Sequence, residues 1–418
     1  MWHGVWLGLL AIAVSEVPSR AQTREHALSF AEAMQRSREA PAVREVEAAL
    51  SVKRAADRRI GALAHNPQIS VDSGYRNDTG GRGVVVQVAV QQGFHLSGYA
   101  AARGRSVEQE EAALASEVRA VLLRQRLGVA RLWTDLWGTS QAEQLARDEV
   151  ELARQALQRT ERLAQGGTLT QVDVAAASTY LAEVEARRLA VEGEAAEQGL
   201  ALGRLLGIAE AVRTEGSPAA VRLPPLSDAL VTEALHRCAQ LPEPVLRRAA
   251  EQIELARDRE LAAQRGTQLW IGAMALHEPT APWAALGTLT LSLPMFDRGQ
   301  RERADLLAAA ARMRVSTEAA AIGAQVELRQ ALHDVEHFGE LDRLLEQTLV
   351  PAASREVALR ERLLSARDGT TLEVLLARRA LVAARAQAAR VRGSLLGSRH
   401  RLSIFFTALG LSAEEALP

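Results

Sequence analysis

Two halves of the chain repeat one another in the same order, with an offset of 200 to 203 residues. No single match is long, but the matches occur in the same order in both halves, and this constant order indicates a duplication. A period of this length indicates a duplicated structural unit rather than a solenoid of short repeats. The matching segments include Glu32-Ala33-Met34 with Glu233-Ala234-Leu235, Ala55-x-Asp57 with Ala256-x-Asp258, Gln68-Ile69 with Gln268-Leu269, Gly166-x-Thr168-Leu169 with Gly369-x-Thr371-Leu372, and Leu205-Leu206-Gly207 with Ala408-Leu409-Gly410.

The repeat predicts two copies of one unit, 22–207 and 228–418, joined by a proline-rich linker at 208–227. Each unit is expected to contain a helix, two strands and a hairpin of two long helices. The first unit has a helical composition from Leu28 to Ala64, and Asn66-Pro67 ends this helical stretch. Its predicted strands lie at 67–94, and its helical hairpin at 98–207 has a tip at 165–170. In the second unit the strands are predicted at 267–295, the hairpin at 299–410 and the tip at 366–371.

The first long helix contains no proline from Gly98 to Ala164. At about 1.5 Å per residue, such a helix is a rod of roughly 100 Å. The second hairpin contains Pro351, which predicts a kink in its descending helix because proline cannot donate the helical hydrogen bond.

The predicted strands alternate between apolar and polar residues, which indicates one apolar face. Strands of about nine to eleven residues with such a face fit a transmembrane β-barrel. The smallest barrels have about eight strands, so four strands require closure between several chains. The alternative is a soluble coiled coil capped by small sheets. The residues predicted to face lipid are Val84, Val86, Val88, Val90, Leu289, Leu291 and Leu293.

The N-terminus reads as a secretory signal peptide over residues 1–21. Val5 to Val14 is an apolar run, and Ser19-Arg20-Ala21 follows it as a small-x-small cleavage site. A buried N-terminal helix is the alternative. No later stretch offers the roughly 18 apolar residues of a transmembrane helix.

Composition excludes some kinds of site and partner. The single cysteine, Cys238, excludes an intrachain disulfide and a cysteine zinc cluster. The net charge of −1 gives no electrostatic reason to expect nucleic acid as a partner.

The sequence resembles the TolC family of outer-membrane efflux channels, possibly its metal-cation branch. The resemblance rests on the duplication and on four segments taken in order: Asn66-Pro67-Gln68-Ile69, Leu293-Pro294-Met295-Phe296-Asp297-Arg298-Gly299, Gly167-Thr168-Leu169-Thr170-Gln171-Val172-Asp173-Val174, and Gly369-Thr370-Thr371-Leu372-Glu373-Val374-Leu375. It implies a mainly α fold with a small β part. It further implies a homotrimer in which long helices form an α-barrel in the periplasm beneath a shared twelve-stranded barrel in outer-membrane lipid.

The resemblance also implies a function and partners. The chain would be the passive exit duct of a tripartite efflux pump, docked to a periplasmic adaptor protein and an inner-membrane pump. Two alternatives from other classes are a periplasmic coiled-coil adaptor and an exported structural coiled coil. The transported substrate cannot be inferred from the sequence.

At the tips, the resemblance implies a gate of carboxylates supplied by Asp173 and Glu373, although Leu376 stands where some relatives carry a second acid. Arg367, Asp368 and Arg378 are candidates for salt bridges that hold this entrance closed. Contacts to an adaptor are expected at Gly166, Gly167, Thr168, Gly369 and Thr370. The simpler interpretation is that the acids stabilise helix dipoles and that the glycines and threonines form ordinary turns.

No catalytic motif is present, so neither enzyme activity nor a cofactor is expected. The sequence contains no phosphate-binding GxxxxGK[ST] loop, no CxxC pair and no nucleophile elbow. His333 and His337 are one helical turn apart among acidic residues and are weak candidates for a metal site. Such a pair is more typical of a solvated helix face.

Overall fold

The computed structural model describes residues 26–57, 66–78, 81–278, 281–366 and 368–411. The predicted signal peptide and Arg367 lie outside the described residues. The helices are α1 (Phe30–Arg36), α2 (Pro41–Asp57), α3 (Tyr99–Gln165), α4 (Gln171–Leu206), α5 (Asp228–Arg237), α6 (Pro242–Gln264), α7 (Gln300–Leu344), α8 (Val350–Ser365) and α9 (Thr371–Ala408). The strands are β1 (His26–Leu28), β2 (Gln68–Asp78), β3 (Gly81–His95), β4 (Val212–Thr214), β5 (Gln268–Glu278) and β6 (Ala281–Ser292).

The segment predicted as one helix from Leu28 to Ala64 is divided, over its described residues up to Asp57, into the end of β1, α1, a 3₁₀ turn and α2, and residues 58–64 lie outside the described residues. Ser29 starts α1 with a capping box, because its hydroxyl accepts the Glu32 N–H while the Glu32 carboxylate accepts the Ser29 N–H. Pro41 starts α2 at a position where the missing N–H costs nothing. Helical composition alone did not reveal these interruptions.

The long helices agree closely with their predicted bounds. The 67 residues of α3 form one uninterrupted helix, and α4 returns antiparallel to it. In the second unit, the hydrogen-bond pattern of the descending helix changes just before Pro351, the residue at which the sequence predicts a kink. A π-helical segment, Leu345–Leu349, separates α7 from α8. A π-helix shifts the hydrogen-bond register by one residue, which accommodates a proline that lacks its donor.

The four long strands form a single antiparallel sheet in the order β2-β3-β5-β6. The two strands of each unit form a hairpin, and pairing between β3 and β5 joins the two hairpins. Among the described residues the sheet is open, with β2 and β6 as its edges. The register aligns Val71, Val88, Ala275 and Ala285 across the four strands, so these residues share one face.

Helices α3 and α9 pack closely along the middle of the bundle, and glycines allow their approach. A Cβ added to Gly393 would lie 2.6 Å from the Thr134 carbonyl oxygen, and one added to Gly397 would overlap the Thr134 hydroxyl. On α3, a Cβ at Gly138 would meet the Ala389 carbonyl oxygen at 3.0 Å. Spacing of small residues by four places them on one helix face, which explains why this pair of helices packs backbone to backbone.

The main hydrophobic core lies beside a small second sheet, in which β1 and β4 pair in parallel. Trp133 of α3 is fully buried there, and its indole N–H donates to the Leu28 carbonyl at 3.1 Å. Its Trp137 neighbour packs on the edge of the same cluster. The predicted linker at 208–227 therefore contributes a strand to the core rather than only connecting the two units.

Candidate functional site

The first tip is a tight turn between α3 and α4. Gly167 has φ of +72°, which favours glycine, and a Cβ there would meet nothing within 4 Å. The Thr168 N–H reaches back to the Leu163 carbonyl at 2.9 Å and closes the end of α3. Gly166, Gly167 and Thr168 are exposed at this turn.

Each return helix begins with a capping box that contains the predicted gate acid. The Asp173 carboxylate accepts the Thr170 N–H at 2.9 Å and its hydroxyl at 2.7 Å. These hydrogen bonds hold the pKa of Asp173 below its usual range. The Glu373 carboxylate accepts the Thr370 N–H at 3.1 Å in the same way. Both acids therefore have a structural role at a helix N-terminus.

The two tips are equivalent at an offset of 200 residues. The N–H groups of Thr168 and Asp368 donate to the carbonyls of Leu163 and Leu363. Thr170 and Thr370 occupy the same N-cap position. The sequence alignment of Gly166 with Gly369 was therefore out of register by three residues, because it followed matching letters rather than the caps.

Ion pairs join the two helices near the second tip. The Arg378 guanidinium binds the Glu361 carboxylate at 2.7 Å, and Arg360 lies 3.5 Å from the Glu373 carboxylate. Among the described residues, Asp368 forms no ion pair, so the structure does not bring it together with Arg378. Both observed pairs link α8 to α9 within one chain.

The first hairpin carries a buried polar cluster that sequence analysis missed. The Glu149 carboxylate is only 2% exposed, accepts the Tyr180 hydroxyl at 2.9 Å and binds Arg187 at 3.2 Å. Burial raises the pKa of Glu149, and burial next to this carboxylate raises the pKa of Tyr180. At the 200-residue offset the second unit has Leu349, Ala380 and Gln387, so the two hairpins are chemically different.

One face of the main sheet is apolar and exposed. Val84, Val90, Leu289 and Leu291 lie on this face with 47–73% of their surface exposed, while Val86 and Val88 are half-buried. Leu293 is exposed one residue beyond the end of β6. Their register partners extend the same face to Ile69, Val71 and Ile271. The opposite face is more polar and includes Gln68, Asp72, Gln87, Gln91 and Thr288, although Trp270, Met274 and Leu276 also lie on it.

Exposed aromatic residues mark both ends of the apolar face. Tyr75 and Trp283 lie near the hairpin turns, with 69% and 60% exposure. Phe94 and Phe296 lie where the strands meet the helices, and Phe296 is 89% exposed. Aromatic side chains at both edges of an apolar band are typical of strands at membrane interfaces.

None of the described helices combines the length and the apolar composition needed to cross a bilayer.

The outward face of α4 is unusually apolar. Its buried residues, including Val184 and Val191, face the hairpin interior, and an exposed row on the opposite side repeats at spacings of three and four. A solvent-facing helix surface is normally polar. We call the row the α4 stripe: Val172, Ala175, Thr179, Ala182, Ala186, Leu189, Gly193, Ala196 and Leu200.

Helix α7 has a similar exposed row opposite its buried residues Leu328 and Leu332. Its largest members, Val315, Ile322 and Val326, are 56–64% exposed. We call this row the α7 stripe: Ala304, Ala308, Ala311, Val315, Ala319, Ile322 and Val326. Because α4 packs outside α3 and α7 packs outside α9, the two stripes lie on different edge helices of the bundle.

His333 and His337 continue the line of the α7 stripe and are both exposed. Their ring centroids are 5.7 Å apart, and the rings are inclined by 15°. Among the described residues, no group of three or more His, Cys, Asp or Glu side chains is arranged to hold a metal ion.

Comparison with known proteins identifies the fold. The chain matches no protein-family model and no curated protein sequence. It is similar to the outer-membrane channel OprN, with 18% identity, a TM-score of 0.74 and coverage of 92% of this chain and 90% of OprN. For CusC, a protein studied for transmembrane channel formation, the identity is 15%, the TM-score 0.67 and the coverage 94% and 95%.

The outer membrane protein VceC from Vibrio cholerae gives 16% identity, a TM-score of 0.64 and coverage of 91% of this chain and 96% of VceC. At these identities the likeness establishes the fold. The chain therefore has the fold of bacterial outer-membrane channels, as the resemblance to the TolC family predicted.

Proposed function

We propose that three copies of this chain form an outer-membrane channel that is the exit duct of a tripartite efflux pump. The observation that carries the proposal is the open sheet with one exposed apolar face, held at one end of a long helical bundle. An apolar sheet face of this size in water would be an aggregation hazard, whereas in lipid it is stabilising.

The dimensions of the sheet support closure between chains. Its strands contain 11 to 15 residues, enough to cross a bilayer at the usual tilt. Four strands cannot close a barrel, but three copies supply twelve, and the free edges β2 and β6 would pair between neighbouring copies. The aromatic residues at both ends of the apolar face would then lie at the two membrane interfaces, with Val84, Val86, Val88, Val90, Leu289, Leu291 and Leu293 facing lipid.

The helices support the same assembly. Both stripes combine small residues with a few larger apolar ones, which are Val172, Leu189 and Leu200 on α4 and Val315, Ile322 and Val326 on α7. Packing the α4 stripe of one copy on the α7 stripe of the next would cover both. Repeated around a threefold axis, this contact closes a ring of helices around a tunnel in the periplasm.

The tips would form the periplasmic entrance. They lie at the ends of the hairpins remote from the sheet, where Gly166, Gly167, Thr168, Gly369 and Thr370 would contact an adaptor protein connected to an inner-membrane pump. Asp173 and Glu373 would place a ring of carboxylates at this entrance and favour cations. The duct would conduct passively, and its cargo would be selected by the pump.

The first test is the location, mass and conductance of the mature protein. We expect it in the outer-membrane fraction and, after detergent extraction, as a particle of three protomers that produces discrete conductance steps in a planar bilayer. A soluble periplasmic monomer or dimer without conductance would contradict the proposal and favour an adaptor or a structural coiled coil.

A further inference from the structure

We propose that His333 and His337 form a chelating site for a divalent late first-row transition ion, with Cu²⁺ bound most tightly. The inference does not rest on the proposed channel function, because both ligands belong to one helix of one chain. The site requires only that α7 is folded, and α7 is a continuous helix across this region.

The geometry of the two rings suits chelation. Both side chains are exposed in the single chain, and both lie beyond Val326, the last residue of the α7 stripe, so an ion has access to them outside the surface proposed to contact a neighbouring copy. An ion bound at about 2.0–2.1 Å from each imidazole nitrogen places the two ring centroids roughly 5 Å apart. The observed separation is 5.7 Å with nearly parallel rings, so small side-chain rotations would bring one nitrogen of each ring to the same ion.

The surroundings also favour a cation. Asp334 binds Arg401 at 3.5 Å, which occupies that carboxylate. Glu336 and Glu340 follow His333 and His337 by three residues each, within reach of a ring N–H. A carboxylate that accepts the second ring N–H of a metal-binding histidine fixes the orientation of the ring. Arg329, one turn before His333, is a positively charged residue near this site and acts against cation binding.

The ligand type narrows the choice of ion. Imidazole nitrogens suit zinc, nickel and copper, and affinity for a given site is generally highest for Cu²⁺. The spacing His-x-x-Glu-His also occurs in helical zinc motifs. With two protein ligands and water in the other positions, the site would bind the ion without activating it for a reaction.

The test is titration of Cu²⁺ into the full-length mature protein, purified without a histidine tag. We expect one Cu²⁺ per chain, an electron paramagnetic resonance spectrum with coupling to two nitrogens, and a Cu²⁺-dependent rise in the unfolding temperature. His333→Ala and His337→Ala should each weaken binding by at least about tenfold, since each leaves a single ligand without the benefit of chelation.

The matched control is His236→Ala, which removes an exposed histidine of α5 and should leave binding unchanged. Circular dichroism of all three variants should show that each is folded. Unchanged Cu²⁺ affinity in both α7 variants, or an equal loss in His236→Ala, would overturn the proposal. Binding is measured on the chain itself, so its outcome is independent of whether the protein conducts ions.

Discussion

At the residue scale, His400 of α9 is a buried base in the core. It is 1% exposed, its ring lies 4.1 Å from the Phe30 ring between centroids, and its Nε2 atom lies 3.0 Å from the Ala219 carbonyl oxygen. A carbonyl only accepts, so Nε2 carries the proton and Nδ1 is bare. No hydrogen-bond partner within the described residues reaches Nδ1, so a second proton there would be buried without compensation.

This environment makes stability depend on pH. Burial lowers the pKa of His400 to about 4, whereas an unfolded histidine has a pKa of about 6.5. Between these values the unfolded state binds more protons than the folded state, so acidification favours unfolding. The stability that neutral His400 contributes is therefore complete above the unfolded pKa and is lost as the pH falls toward the folded pKa. By pH 5 the folded state should lose about 2 kcal/mol from this residue.

The measurement is the midpoint of thermal unfolding from pH 7.5 to pH 5 for the wild type and for His400→Gln. Glutamine keeps a donor for the Ala219 carbonyl but does not titrate. We expect the variant to be less stable at pH 7.5 and to lose less stability on acidification. Parallel pH profiles for the two proteins would contradict the assignment.

At the element scale, the sequence predicted the long helices much better than the segments that connect them. The segment from Gly98 to Ala164 is rich in good helix formers and contains no proline, the residue that most strongly breaks a helix. These two features together predicted α3. The division of 28–57 into four elements was missed, since it depends on the Ser29 cap and on pairing of β1 with the distant β4. Long-range pairing leaves no periodic signal in a three-residue strand.

The tips show the same limit. The pattern Thr-x-x-acid was present at both tips, but only the structure shows that Thr170 and Thr370 are N-caps and sets their equivalence at 200 residues. The Glu149 cluster could not be predicted, because its three members come from two helices and share no spacing rule. A buried polar group is recognised by the groups that hydrogen-bond to it, and those partners become known only from the tertiary structure.

Two variants separate the capping role of Glu373 from its charge. Glu373→Gln keeps an oxygen that can accept the Thr370 N–H but removes the charge, since Glu and Gln both serve in a capping box. Thr370→Ala removes the cap and keeps the charge, at a cost of about 1 kcal/mol. If the acid acts as a gate, Glu373→Gln should reduce cation selectivity in bilayer recordings with little change in unfolding temperature.

The expected result for Thr370→Ala is the reverse: a lower unfolding temperature and unchanged selectivity. A loss of selectivity in Thr370→Ala alone would mean that the capped conformation of the tip, rather than the carboxylate of Glu373, controls permeation. Unchanged selectivity in Glu373→Gln would leave the capping box as the whole role of this residue.

At the scale of the whole molecule, duplication gives one chain two similar but unequal hairpins. The first has an uninterrupted long helix and contains the Glu149 cluster, while the second is interrupted at Leu345–Leu349. The edges of the bundle are therefore different surfaces, one carrying the α4 stripe and the other the α7 stripe. Two different edges that fit each other produce a head-to-tail contact, which closes into a ring when the rotations between successive copies complete one full turn.

A single substitution in the α7 stripe tests this contact. Ile322 is 61% exposed in the single chain, so Ile322→Asp should leave the fold of the chain intact. In a ring the same aspartate would be buried against a neighbouring copy without a partner, which is strongly destabilising, by about 3–5 kcal/mol when a buried charge is left unpaired. The expected result is unchanged helix content by circular dichroism, loss of the three-protomer particle in detergent and loss of conductance.

The matched control is Gln330→Asp, which introduces the same charge at an exposed position of α7 one helical turn beyond Val326, the last residue of the α7 stripe. It should keep both the particle mass and the conductance, because its carboxylate stays hydrated. If both variants remain trimeric, the α7 stripe does not form the contact, and the apolar surface must be covered in another way. If both dissociate, the contact extends along α7 beyond Val326.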